Sequence, residues 1–118
     1  MKQQSNNQQT TVWGKWEILL ETDYCKVKQI TINPGQRLSY QTHKKRQEQW
    51  TIVQGTATIV LNDKTQLLTP GNSILIPKQA PHRIGNTTDT PIIFIEVQTG
   101  TYFGEDDIIR LEDDYNRQ

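Results

Sequence analysis

The chain is poor in several residue types, and each shortage narrows what it can be. A single cysteine, Cys25, permits no internal disulfide and no all-thiolate metal site, so nothing in the sequence asks for an oxidising compartment and the expectation is a cytoplasmic protein. No run approaches the ~18 apolar residues of a membrane span, and Met1-Lys2 leads into glutamines rather than an apolar signal core. Net charge is also missing: 13 basic and 13 acidic residues cancel, which leaves no overall field to draw the chain to nucleic acid or to an anionic membrane. Apolar residues make up only 33% of the 118, while 14 Gln and 15 Thr supply uncharged polar surface, so most elements must keep one face in water. There is room for one domain.

The cancelled charge hides a gradient. Residues 105–117 carry Glu105, Asp106, Asp107, Glu112, Asp113 and Asp114 against Arg110 and Arg117, so this tail is −4 and the rest is +4. The expectation is an acidic clasp folding against a positive body. Residues 1–11 hold no apolar side chain after Met1 and are expected to be a flexible, Gln-rich leader, with a single domain over 12–118. Within it, short runs rich in Val, Ile, Thr and Tyr predict strands at 16–20, 24–32, 50–53, 56–61, 66–68, 73–76 and 92–97. Turn residues separate them: Asn33-Pro34-Gly35, Gln54-Gly55, Asn62-Asp63-Lys64 and Thr69-Pro70-Gly71. In the run 56–61, Ala57, Ile59 and Leu61 share a face, the pattern of a half-buried strand. So many closely spaced strands imply an all-β barrel or sandwich. The one helical candidate, 106–115, reads equally as an extended clasp.

Chemistry concentrates in two segments. In 35–55, Gln41 and His43 are two apart and share a face of a strand. If 44–47 form a four-residue hairpin loop, Glu48 becomes the cross-strand neighbour of His43. In 71–86 an apolar strand runs into Pro77 and Pro81 and ends at His82, the second of only two histidines. Two imidazoles, a carboxylate and an amide oxygen from Gln41, His43, Glu48 and His82 make an N2O2 set suited to a divalent metal, zinc first, with manganese, cobalt or iron compatible.

These segments resemble the paired motifs of the cupin superfamily, whose fold is a double-stranded β-helix, or jelly-roll barrel. Gly35, His43, Glu48, Gly55, Gly71, Pro77, His82 and Asn86 fall in place; Gln41 stands where histidine is usual, and Gln79 where glycine is. Gln41-x-His43, with Leu38-Ser39-Tyr40 before it and Arg46-Gln47-Glu48 and Trp50 after, is similar to the type II mannose-6-phosphate isomerases, often the C-terminal half of a bifunctional enzyme with a mannose-1-phosphate guanylyltransferase. The likeness extends to Trp13-Gly14-Lys15-Trp16-Glu17, Tyr24-Cys25-Lys26-Val27-Lys28, Glu96-Val97-Gln98-Thr99-Gly100 and the closing Tyr102-Phe103-Gly104-Glu105 and Asp114-Tyr115.

The resemblance implies interconversion of mannose 6-phosphate and fructose 6-phosphate at a metal held by Gln41, His43, Glu48 and His82. The substrate phosphate would fall to Arg46 and Arg83, with Lys44 and Lys45 extending the patch. The catalytic base is unassigned. Family members usually carry histidine where Gln49 stands, and an amide takes no proton near neutral pH; Arg46 and Lys78 are the candidates in its place. Alternation directs Glu48, Trp50 and Ile52 to one face and Gln49 to the other. Trp50 either fills the barrel or stacks on a sugar. Trp13 and Trp16, at the edge of the domain, suggest a homodimer contact or a cover for the barrel floor. A separate guanylyltransferase is a further expected partner. The competing readings are a non-catalytic cupin that binds a sugar or sugar phosphate, and a metal-dependent oxygenase.

Overall fold

The computed structural model describes residues 7–117, which form two antiparallel sheets. Eleven strands follow one another: β1 (Gln8–Thr10), β2 (Gly14–Glu21), β3 (Cys25–Ile32), β4 (Tyr40–Thr42), β5 (Arg46–Gln54), β6 (Ala57–Leu61), β7 (Lys64–Leu68), β8 (Ser73–Ile76), β9 (His82–Gly85), β10 (Ile92–Gly100) and β11 (Ile109–Glu112). The larger sheet runs β1-β2-β3-β10-β5-β8 and the smaller β11-β4-β9-β6-β7. Among the described residues there is no helix, so 106–115 takes the extended form, with β11 pairing β4. This is the all-β class the strand pattern predicts, and of its two architectures, barrel or sandwich, it is the barrel that the family resemblance implies.

The flexible leader expected over 1–11 does not extend through 8–10. Gln8–Thr10 pairs antiparallel with β2, as Gln8 opposite Glu17 and Thr10 opposite Lys15. Ladder hydrogen bonds order a strand that offers no apolar side chain, a gain invisible to composition. The part of that expectation covering residues 1–6 lies outside the described residues.

Turn chemistry sets the corners as expected. Asn62 and Asp63 both adopt positive φ, 51° and 67°, which closes the two-residue hairpin between β6 and β7. Gln79, where cupins favour glycine, also has positive φ, 66°, and its backbone N–H donates to the His43 carbonyl at 2.7 Å. Glycine is preferred there because it reaches that conformation without steric cost. Gly100 is required for a different reason: a Cβ there would sit 2.3 Å from the Lys45 carbonyl oxygen, where β10 closes on β5.

The inward faces of β3, β10 and β5 are apolar at one end and charged at the other, and register stacks them in rungs. Ile32 faces Ile92; Ile30, Phe94 and Ile52 form the next rung; then Lys28, Glu96 and Trp50; then Lys26, Gln98 and Glu48. The apolar rungs join Ala57, Ile59, Ile76 and Ile84 in the core. Leu61 packs on it as the alternation of 56–61 predicts. Burying these side chains at roughly 25 cal/mol per Å² is what holds the sheets together. The polar rungs line the opposite end, where there is a cavity of about 210 Å³.

Candidate metal centre and cavity

Glu48 belongs to β5 of the large sheet, Gln41 to β4 of the small one, and His82 opens β9, opposite Gln41 in register. His43 lies one residue past β4. The expected hairpin is therefore not what joins His43 to Glu48. Both edges of β5 are taken, by β10 and β8, so residues 43–45 cross between sheets and the two side chains meet across the barrel interior. The outcome is the same proximity by another route. His43 Nε2 is 3.3 Å from one Glu48 carboxylate oxygen and His82 Nε2 is 4.0 Å from the other. The ligating atoms of His43, Glu48 and His82 all lie within 4.8 Å of one another, and all three residues are buried.

The donor chemistry fits a divalent cation. His43 Nδ1 donates to the Asp107 carbonyl at 2.5 Å and His82 Nδ1 to the Ala80 carbonyl at 2.9 Å, which turns both Nε2 atoms toward Glu48 and fixes the tautomer. Burial, followed by the charge of Arg46, pushes His43 down to about 4; burial also lowers His82. Both rings are thus neutral near pH 7 with their Nε2 lone pairs turned inward, that of His43 facing Arg46 Nη2 at 3.4 Å. The Gln41 amide nitrogen donates to Ser39 Oγ at 2.8 Å, leaving its oxygen as the atom for a cation.

Several residues that sequence reasoning did not single out complete the site. Glu96 is buried on β10; Trp50 Nε1 donates to it at 3.1 Å and to Glu48 at 3.0 Å, and Gln98 Nε2 donates to it at 2.7 Å. Burial, reinforced by the Glu48 charge, raises Glu96 to about 7. Lys28, only 3% exposed, lies on the wall beside it. Alternation along 25–32 could have revealed Lys26 and Lys28, since both share a face with Ile30 and Ile32.

Other expected residues separate. Arg46 is buried, with Nε 2.9 Å from a Glu48 oxygen. Arg83 lines the cavity, but its guanidinium is held by Glu112 at 2.9 Å and the Leu38 carbonyl at 3.0 Å. Lys44, Lys45 and Lys78 are exposed and none lines the cavity; Lys45 lies over the Tyr102 ring instead. Gln49 is exposed on the outer face of β5, so histidine there would add no group to the site. Trp50 is 2% exposed and belongs to the core. Trp13 is buried and Trp16 packs against the core under Lys28, so the exposed aromatic surface expected at the domain edge is absent at these two residues.

The acidic tail clasps the body through discrete pairs. Asp114 meets Arg37, Glu112 meets Arg83, and the Asp107 carboxylate accepts from the Lys44 and Lys45 amides. Arg117 holds Asp113 down at about 2.

Two titrations oppose each other here. Unfolded histidine protonates near 6.5 but folded His43 only near 4, so in that window the unfolded chain binds more protons and stability falls as pH falls. Glu96 keeps its proton to about 7 folded and loses it near 4.5 unfolded, so folding gains as pH falls. In chelator-treated protein, Glu96→Gln should uncover the His43 slope, about 2 kcal/mol lost between roughly pH 6.5 and 5. Urea midpoints that fall in parallel for variant and wild type would contradict this balance.

Comparison with known proteins agrees with this architecture. The chain is 48% identical over 105 residues to the alginate biosynthesis protein AlgA of Pseudomonas aeruginosa, covering 89% of this chain and 22% of that protein. It is 42% identical over 105 residues to the mannose-1-phosphate guanylyltransferase ManC of Salmonella typhimurium, again covering 89% and 22%. The chain thus spans about a fifth of the length of these relatives. A crystal structure of an uncharacterized Klebsiella pneumoniae protein with a double-stranded β-helix domain superposes with a TM-score of 0.73 at 23% identity, over 94% of this chain and 90% of that one. The barrel has the cupin double-stranded β-helix fold. Residues 1–113 match the family described as Mannose-6-phosphate isomerase C-terminal, and with nearly the whole sequence inside that match the chain belongs to this family.

Proposed function

We propose that the chain is a metal-dependent mannose-6-phosphate isomerase that interconverts mannose 6-phosphate and fructose 6-phosphate. The observation that carries this reading is the buried His43, Glu48 and His82 cluster, two members of which open onto a cavity walled by cations and by a carboxyl group raised to about 7. His43, Glu48, His82 and the Gln41 oxygen would hold the metal, zinc first, with manganese, cobalt or iron accommodated by the same donors. A bound divalent ion supplies Lewis acidity for the two sugar oxygens at which charge develops.

The chain's own groups supply the rest. Moving a proton between C1 and C2 needs a group that both takes and returns it near neutral pH. Arg46 stays charged beside Glu48, and Lys78 lies outside the cavity, so neither earlier candidate serves. Glu96 lines the cavity with its carboxyl poised near 7, and Trp50 and Gln98 orient its oxygens. The polar end admits the sugar phosphate, and the apolar rungs close the floor behind it.

The reading also gives the chain a setting, in the supply of mannose phosphates beside a mannose-1-phosphate guanylyltransferase, in the cytoplasm, as a homodimer. Assaying conversion of mannose 6-phosphate after chelation and after reloading with zinc, manganese, cobalt and iron tests it. Turnover should vanish with the metal and return with at least one ion. Stoichiometric metal without turnover would favour a cupin that binds a sugar phosphate without converting it.

A further inference from the structure

Three cations on two strands converge on a single oxygen of Glu105, which lines the cavity together with two of them, Lys28 and Arg46. Glu105 Oε2 lies 2.7 Å from Lys28 Nζ, 3.8 Å from Lys26 Nζ and 3.8 Å from Arg46 Nη1. Only the first of these is a hydrogen bond; Lys26 donates instead to the Phe103 carbonyl at 3.2 Å, and Arg46 Nη1 is buried with no hydrogen-bond acceptor. All three cationic residues are under 8% exposed, whereas the Glu105 side chain is 51% exposed. One half-exposed carboxylate thus serves more buried positive charge than its geometry can satisfy. Burying a guanidinium N–H without an acceptor is costly, and such a group marks a place where another ligand fits.

We infer that Lys26, Lys28 and Arg46 form the subsite for a phosphate monoester and that Glu105 is its resident occupant, displaced when the phosphate enters. A phosphate brings close to two negative charges and three terminal oxygens, one for each cation, where the carboxylate offers a single oxygen to all three. Arg46 is suited to this because its Nε and Nη2 are engaged by Glu48, which leaves Nη1 aimed away from that carboxylate. Glu105 sits on 101–108, between β10 and β11, where the Asp107 carboxylate and carbonyl tie the chain to residues 43–45. The side chain can therefore swing out while its backbone stays anchored. Lys44 and Lys45 then guide no phosphate, and Arg83 remains paired to the clasp.

The proposal rests on the isomerase reading only for the source of the phosphate, so the first probe is inorganic phosphate. Its binding to the full chain is titrated calorimetrically at low ionic strength, for wild type, Glu105→Gln and the double variant Glu105→Gln/Lys28→Met, each checked for native circular dichroism. Glu105→Gln should tighten phosphate at least tenfold by removing the competing charge, and adding Lys28→Met should abolish that gain. Unchanged or weaker phosphate binding in Glu105→Gln, or a gain that survives Lys28→Met, would overturn the subsite. With mannose 6-phosphate, Glu105→Gln should lower KM, while unphosphorylated mannose should bind both proteins alike. Tighter phosphate without turnover by any form would leave the subsite standing and sink the isomerase reading. Turnover with phosphate affinity untouched by Glu105→Gln would do the reverse.

Discussion

Replacing His82 with alanine should lower divalent metal affinity at least a hundredfold while leaving a folded barrel. Loss of an outer partner of a ligand already costs ten- to a hundredfold, so loss of a ligand itself must cost more. The barrel should survive because the apolar rungs of β3, β10 and β5 lie away from the ring, although His82 does pack edge-on against Trp50 at 5.6 Å. Glu48 is a less clean test. It accepts from Trp50 Nε1 and Arg46 Nε, and alanine there would leave a buried guanidinium unpaired. Glu48→Gln keeps the volume and one acceptor oxygen, enough for the Arg46 Nε or the Trp50 Nε1 donor but not both, and is the better variant. Metal stoichiometry by elemental analysis after gel filtration reads the result. A full complement of tightly held metal in both His82→Ala and Glu48→Gln would contradict the site.

The largest effect on stability should come from Trp50. It is 2% exposed, touches Phe94 with ring centroids 5.3 Å apart, and donates its single N–H between Glu48 and Glu96. It is the joint between the apolar floor and the charged end. Trp50→Ala should cost about 3–5 kcal/mol through lost burial and the cavity left behind. That is a large part of the roughly 5–15 kcal/mol available to a domain of this kind. Trp50→Phe retains most of the volume and loses only the donor, so it should unfold at much higher urea than Trp50→Ala yet bind metal more weakly than wild type, because Glu48 and Glu96 lose the indole N–H whose hydrogen bond they share. Equal urea midpoints for the two variants would show that the indole's bulk is not what the barrel depends on.

Much of this was legible in the residues. Alternation in 56–61 and across Glu48, Trp50 and Ile52 gave the inward and outward faces, including the outward Gln49, and the two histidines with Glu48 marked the cluster. Three things were not legible, for physical reasons. Strands β1, β4, β9 and β11 are too short or too polar to announce themselves, and are held by neighbours' hydrogen bonds. Local spacing suggested a hairpin between His43 and Glu48, but strand pairing is decided by which edges are already taken, here by β10 and β8. Alternation could place Lys28 on an inward face, but that it meets Glu96 depends on the register of strands nearly 70 residues apart, opposite each other in one rung. No local window contains that.

The position of β10 has a consequence for the making of the protein. In the large sheet it lies between β3 and β5, and so supplies the ladder partner for an edge of each. A ribosome delivers β3 and β5 before residues 92–100, so from the completion of β5 until β10 arrives both strands lack the partner for one edge. Pairings over such long separations form slowly, and exposed strand edges invite other chains. Completion of the large sheet therefore waits on β10, which joins β1-β2-β3 on one side to β5-β8 on the other.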